Sequence, residues 1–151
     1  MKAHRKAMVI GFALLATPLL AAPQDMIATR QAGYRAMGAA FKSVNDQIHS
    51  GSPQMPVIQA AAAKIQATAQ AQYGWFPQGS GASSGLKTGA KEEIWTQPAQ
   101  FKAAQDAFSA QAAAFSKVVG TGDVAAITAQ MRQLGATCSA CHRAFRTDAR
   151  S

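Results

Sequence analysis

The chain is short of the residues from which most active sites and most β-structure are built. It has two cysteines, three histidines and seven acidic residues in 151 positions. β-Branched residues are sparse and no stretch alternates apolar with polar, so no strand pattern is visible. A thioredoxin-type dithiol opens a helix after a strand, inside a βαβ pattern, and that context is missing. A structural zinc site takes four Cys or His ligands. Beyond the N-terminal leader only His49, Cys138, Cys141 and His142 could supply them. No hydrolytic triad, phosphate-binding loop, internal repeat or second domain is found. Basic residues such as Lys42, Lys64, Lys87, Lys102, Lys117 and Arg132 are scattered singly. They read as solvated helix faces with some attraction for acidic partners, and not as a nucleic-acid surface.

What the chain does have is Cys138-Ser139-Ala140-Cys141-His142, followed by only nine residues. This is CxxCH, the attachment signature of c-type haem. The thiols add across the haem vinyl groups and the adjacent imidazole binds iron. On a helix, residues three and four apart share a face, which places Cys138, Cys141 and His142 under one porphyrin. A disulfide or redox dithiol is the alternative, with zinc behind it. Because the motif lies so near the end, any second iron ligand must come from upstream, or the site stays open.

The N-terminus agrees with covalent haem, which bacteria attach outside the cytoplasm. Lys2, Arg5 and Lys6 precede an apolar run from Ala7 to Leu20 that is broken by Gly11, Thr17 and Pro18. By pattern, residues 1–21 are a secretory signal peptide, cut after Ala21, and the run is too short and broken to favour a membrane span. Residues 22–151 then form one domain, and loss of the three leader cations lowers the formal charge from +8 to +5. The expected location is the periplasm.

Apolar periodicity predicts four helices. The first runs from Asp25 to His49 with the stripe Ile27, Arg30, Tyr34, Met37, Phe41, Val44, Ile48. The second, Pro56 to Tyr73, shows Ile58, Ala61, Ala62, Ile65, Ala69 and Tyr73. A Gly/Ser-rich stretch from Gly74 to Lys91 carries Trp75 and Phe76 at its entry; loops this long are often functional or mobile. The third helix follows Trp95, with Pro98 in its first turn, and presents Phe101, Ala104, Phe108, Phe115 and Val118. After the Thr121-Gly122-Asp123 turn, the fourth carries Val124, Ile127, Met131, Leu134, Cys138, Cys141 and Phe145. Both cysteines lie on the apolar stripe, so a haem would sit inside an all-α, antiparallel four-helix bundle.

Several residues stand out around such a haem. Arg30 places a charge on a core face, to be paired with a haem propionate or to snorkel to water at the bundle end. Tyr34, one turn on, covers the iron side opposite His142 or is an ordinary core tyrosine. Met26 and Met37 are the only plausible sulfur ligands on that helix. Arg146, four residues after His142, reaches over the imidazole or is a solvated arginine at a helix C-terminus. Trp75 and Trp95 read as core aromatics, and Trp95 also as a wall of the haem site. His49 reads as a surface residue.

Taken together, Arg30-Gln31 with Tyr34 and Met37-Gly38, Glu93-Ile94-Trp95, and the block from Gly135 to Arg146 resemble cytochrome c′, the class II cytochromes c. Cytochromes c′ are four-helix bundles, so the bundle reading is not independent of this resemblance. The resemblance implies a periplasmic homodimer with one covalent haem c per subunit. It implies five-coordinate, high-spin iron with His142 as axial ligand, Tyr34 as the bulky shield on the other side, and access for nitric oxide and carbon monoxide. It also implies Arg30 near a propionate and Arg146 over the axial histidine. A low-spin branch of the family carries a methionine where this chain has Arg30, so this chain departs from it. The expected role is gas binding with one-electron transfer and no enzymatic activity; the redox partner is unknown. The alternative is a six-coordinate carrier of electrons alone.

Overall fold

A computed structural model describes residues 22–147. The expected signal peptide, its cut after Ala21 and the last four residues lie outside the described residues. The described chain folds into four long helices, α1 (Pro23–His49), α2 (Met55–Ala71), α4 (Pro98–Val119) and α5 (Val124–Phe145), with a four-residue helix α3 (Glu93–Thr96) before α4. Proline stands in the first turn of α1, α2 and α4, where the missing N–H is no loss. Helix α5 instead begins at Asp123, whose Oδ1 accepts from the backbone N–H of Ala125 (2.9 Å) and Ala126 (3.1 Å). That cap anchors the helix that carries the CxxCH motif.

Helix α1 packs on α2, α2 on α4 and α4 on α5. The α2–α4 pairing is antiparallel, since Gln70 bonds Ser109 while Tyr73, further along, bonds Asp106, nearer the start of α4. One core, with Val44, Ile58, Ile65, Phe115, Ile127 and Leu134 at its centre, draws on all four long helices. A smaller cluster of Ala90, Ile94, Phe101 and Phe145 lies at the other end. Helices α1 and α5 come together at Phe41, whose Cζ lies 3.3 Å from where a Cβ on Gly135 would be. Toward Arg30 and His142 they diverge around a cavity.

Two details of the expected stripes are corrected. Helix α2 ends at Ala71, and a 3-10 turn (Gln72–Gly74) follows. That turn rotates Tyr73 out of the core, leaving it 41% exposed with its hydroxyl donating to Asp106 Oδ1 at 2.8 Å, while Gln72 is buried in its stead. In α4 the buried valine is Val119, with Val118 half-buried. The long connection is also held more firmly than its composition suggested. Its Ser80 and Thr88 bond Arg30, and its far end pairs with the C-terminus of α5 through Lys91 N–H to Phe145 O (3.0 Å) and Thr147 N–H to Gly89 O (2.9 Å).

Candidate functional site

The cavity between α1 and α5 has a volume of about 1150 Å³, somewhat above the ~300–1,000 Å³ usual for ligand pockets. Cys138, Cys141 and His142 line it from α5, Arg146 from just past the end of that helix, and Arg30, Tyr34, Met37 and Phe41 from α1. The residues picked out from sequence on these two helices therefore converge, because each lies on the inward stripe of its helix. The two cysteines are half-buried free thiols. Cys138 packs against the main core and Cys141 against the smaller cluster, so they bracket the junction between the two.

Burial dominates the electrostatics of the motif. Burial raises both thiols above their ordinary value, and Cys138 adds to the rise at Cys141, which keeps them protonated. Burial lowers His142, and the charge of Arg146 lowers it further. The imidazole faces an open cavity and is solvent-accessible, but it is neutral at neutral pH and so available as a metal ligand. Among the described residues no group of three or more His, Cys, Asp or Glu could hold a metal ion.

Arg30 is only 3% exposed and does not snorkel. Its Nη1 donates to Ser80 Oγ (2.9 Å), and its Nη2 to Ser80 O (2.7 Å) and to Thr88 Oγ1. The guanidinium also sits over the Phe76 ring, 5.1 Å from the centroid. No acidic side chain pairs with it; among the described residues the only ion pairs are Lys42–Asp46 and Lys102–Asp106. A buried cation without a counter-charge is costly, and burial lowers its pKa. Since three of its five N–H donors are in use, it can still bind an anion in the cavity. Two thiols, a neutral imidazole and an unpaired buried cation around one largely apolar space are a fit for haem c with its propionates.

Tyr34 stands edge-on to Trp75, with ring centroids 5.0 Å apart, and its hydroxyl donates to Gln72 Oε1 at 3.2 Å. Burial raises its pKa well above the ordinary value, with Cys141 adding and Arg30 opposing. From Tyr34 an aromatic series continues through Phe76, Phe101 and Phe145 and closes the floor of the cavity.

Three expectations are revised. Trp95 does not line the cavity; Ile94 and Phe101 hold that wall. The Trp95 indole instead donates to the carbonyls of Phe76 (3.2 Å) and Pro77 (3.1 Å) and bolts down the long loop. Arg146 does line the cavity, but as the extended residue that caps α5 and bridges to Ala90, not as a further helical turn. Of the two methionines considered as ligands, Met37 is on the wall and Met26 is not. Ser80, Thr88 and Gln72 were not foreseen; polar residues in a loop or turn carry no periodicity to mark them.

The family model described as Cytochrome C' matches residues 25–146. The chain is 29% identical over 126 residues to a cytochrome c′ of Alcaligenes xylosoxydans, which spans 83% of this chain and 96% of that protein. A solved cytochrome c′ with ligand-controlled dimer dissociation superposes with a TM-score of 0.78 at 27% identity, covering 85% of this chain and 98% of its own. Variants of cytochrome c prime from Alcaligenes xylosoxidans superpose at 26% identity. One is in complex with nitric oxide (TM-score 0.75, 83% of this chain and 97% of its own), and one has carbon monoxide bound (TM-score 0.76, 85% and 98%).

Proposed function

The chain belongs to the cytochrome c′ family, and from that premise we propose that it is a periplasmic, homodimeric gas-binding haem protein, not an enzyme. Bound covalently, haem c would supply an iron that exchanges one electron and holds one small diatomic ligand, nitric oxide or carbon monoxide. Cys138 and Cys141 would hold it, and His142 would be its only protein ligand. Burial, with a smaller contribution from Arg146, lowers the pKa of the imidazole. Arg30, already clamped to the loop, would meet a propionate.

One observation carries this reading: Tyr34 lines the cavity from α1 and His142 from α5, and the Tyr34 hydroxyl is already bonded to Gln72. No carboxylate lines the cavity among the described residues, and the Tyr34 hydroxyl already donates to Gln72, which supports the reading against peroxidase chemistry. No described helix is long and apolar enough to cross a membrane. The nitric oxide and carbon monoxide complexes of the Alcaligenes relatives, and the ligand-controlled dimer of another, support the same reading.

The test is the absorption spectrum of the dithionite-reduced protein before and after carbon monoxide. A broad high-spin spectrum that shifts with the gas is expected. Sharp low-spin bands indifferent to it would install Met37, the one methionine of α1 on the wall, as a sixth ligand and make the protein an electron carrier only.

A further inference from the structure

We propose that Gln72 is a positioning residue that withholds the Tyr34 hydroxyl proton from the cavity, and so sets which diatomic gas the site accepts. The proposal rests on the gas-binding reading above. Gln72 is buried in the 3-10 turn that ends α2. Its Nε2 donates to Ala69 O (3.3 Å) and to Gln105 O (3.3 Å). In return Gln105 Nε2 donates to Gln72 O at 3.2 Å. The two glutamines thus clasp each other's backbone across the α2–α4 contact.

That clasp fixes the sense of the carboxamide. Turned over, its oxygen would face two carbonyl oxygens and the amide would lose both of its donor bonds, at about 0.5–1.5 kcal/mol for each. The amide oxygen must therefore face Tyr34, and an amide oxygen has no proton to give. The single proton between Tyr34 and Gln72 is the phenol's own, and it is committed. Trp75, edge-on to the ring, leaves Tyr34 little freedom to turn. No buried side-chain N or O among the described residues lacks a hydrogen-bond partner. Toward the cavity Tyr34 can offer its ring and its oxygen lone pairs, but no donor. Dioxygen, whose capture is strengthened by a distal hydrogen-bond donor, gains nothing here, whereas carbon monoxide and nitric oxide depend on one far less.

Two measurements test this. The first is the Tyr34 hydroxyl proton by NMR in the reduced, carbon monoxide-bound holoprotein carrying Tyr73→Phe, in which Tyr34 is the only tyrosine. A slowly exchanging signal, lost on Gln72→Leu, is expected; its absence with Gln72 intact overturns the positioning role. The second is competition between dioxygen and carbon monoxide for the reduced protein. Gln72→Leu should shift it toward dioxygen by about tenfold, the worth of one hydrogen bond. Tyr34→Phe alone should shift it less than the single-bond amount, and adding Tyr34→Phe to Gln72→Leu should cancel the gain. A tenfold change from Tyr34→Phe alone would mean that the hydroxyl already faces the ligand, and the proposal fails. A holoprotein that binds no carbon monoxide overturns the gas-binding reading and the selectivity role with it. The hydroxyl signal, sought then in the unliganded reduced protein, separately decides the Tyr34–Gln72 bond.

Discussion

Trp75 lies so close to the backbone of α1 at Gly33 that a Cβ there would fall 2.2 Å from its Cη2 and 2.6 Å from its Cζ2. The missing side chain of Gly33 is the space the indole occupies. Trp75 in turn stands edge-on to Tyr34, so this glycine decides where the Tyr34 side of the cavity can stand.

Gly33→Ala provides a test in which two effects have opposite signs. Inside a helix, Ala is favoured over Gly by about 0.5–1 kcal/mol. Overpacking against Trp75 costs about 1–3 kcal/mol. The net expectation is a loss of stability in denaturant melts, with a changed tryptophan emission and faster carbon monoxide binding as Tyr34 loses its brace. A more stable protein would mean that the indole moves aside freely.

Arg30→Leu should leave the Ser80 carbonyl without its guanidinium donor and free the Thr88 hydroxyl. A loss of about 1–3 kcal/mol is expected, with protease cleavage appearing between residues 77 and 91. Arg30→Lys should recover little, because an ammonium cannot reproduce the fork that spans both loop residues. Equal stability of the Lys variant and the unaltered protein would show that charge alone holds the loop.

Cys138→Ala together with Cys141→Ala should abolish haem that survives denaturing electrophoresis. Because both thiols are half-buried on the cavity wall, the fold itself should tolerate the change, which circular dichroism would check. Persistent haem staining would refute thioether attachment.

Tyr34 makes stability pH-dependent at the alkaline end. Its folded-state pKa is raised above the ordinary 10.0, chiefly by burial, while the unfolded chain keeps the ordinary value. Above about pH 10 the folded state therefore holds the proton that the unfolded state releases, and stability falls as pH rises. Below that value the contribution is fully present. Denaturant melts in a Tyr73→Phe background should show the alkaline decline, and Tyr34→Phe should flatten it. Identical slopes would mean that Tyr34 ionises as freely in the fold as outside it.

Much of the molecule was legible in advance, and for local reasons. Cys138, Cys141 and His142 stand three and four residues apart, and helix geometry alone puts them on one face. The 3.6-residue repeat marks Ile27, Arg30, Tyr34, Met37 and Phe41 as a single inward stripe, whatever it faces. Proline and aspartate near the helix starts set the boundaries to within a residue or two. The family followed from blocks of residues that are contiguous in the chain. Periodicity fails at the ends of elements: Tyr73 continues the α2 pattern, but the tighter 3-10 turn swings it outward and brings Gln72 in.

What periodicity cannot state is which groups meet across the bundle. The inward face of α1 is written in the sequence; that Arg30 grips Ser80 and Thr88, some fifty and more residues on, is not. Nor is the choice of Ile94 over its neighbour Trp95 for the cavity wall, because one step along a helix turns the side chain by about 100° and periodicity over a single turn does not say which face is inward. The tie of Tyr34 to Gln72, and of Gln72 to Gln105, exists only when α1, the end of α2 and α4 are packed together. The sequence by itself determined the helices, the attachment motif and the inward stripes, since these depend on spacing along one chain. Only the tertiary structure decided which way the Tyr34 hydroxyl donates, because that depends on carbonyl oxygens supplied by separate helices.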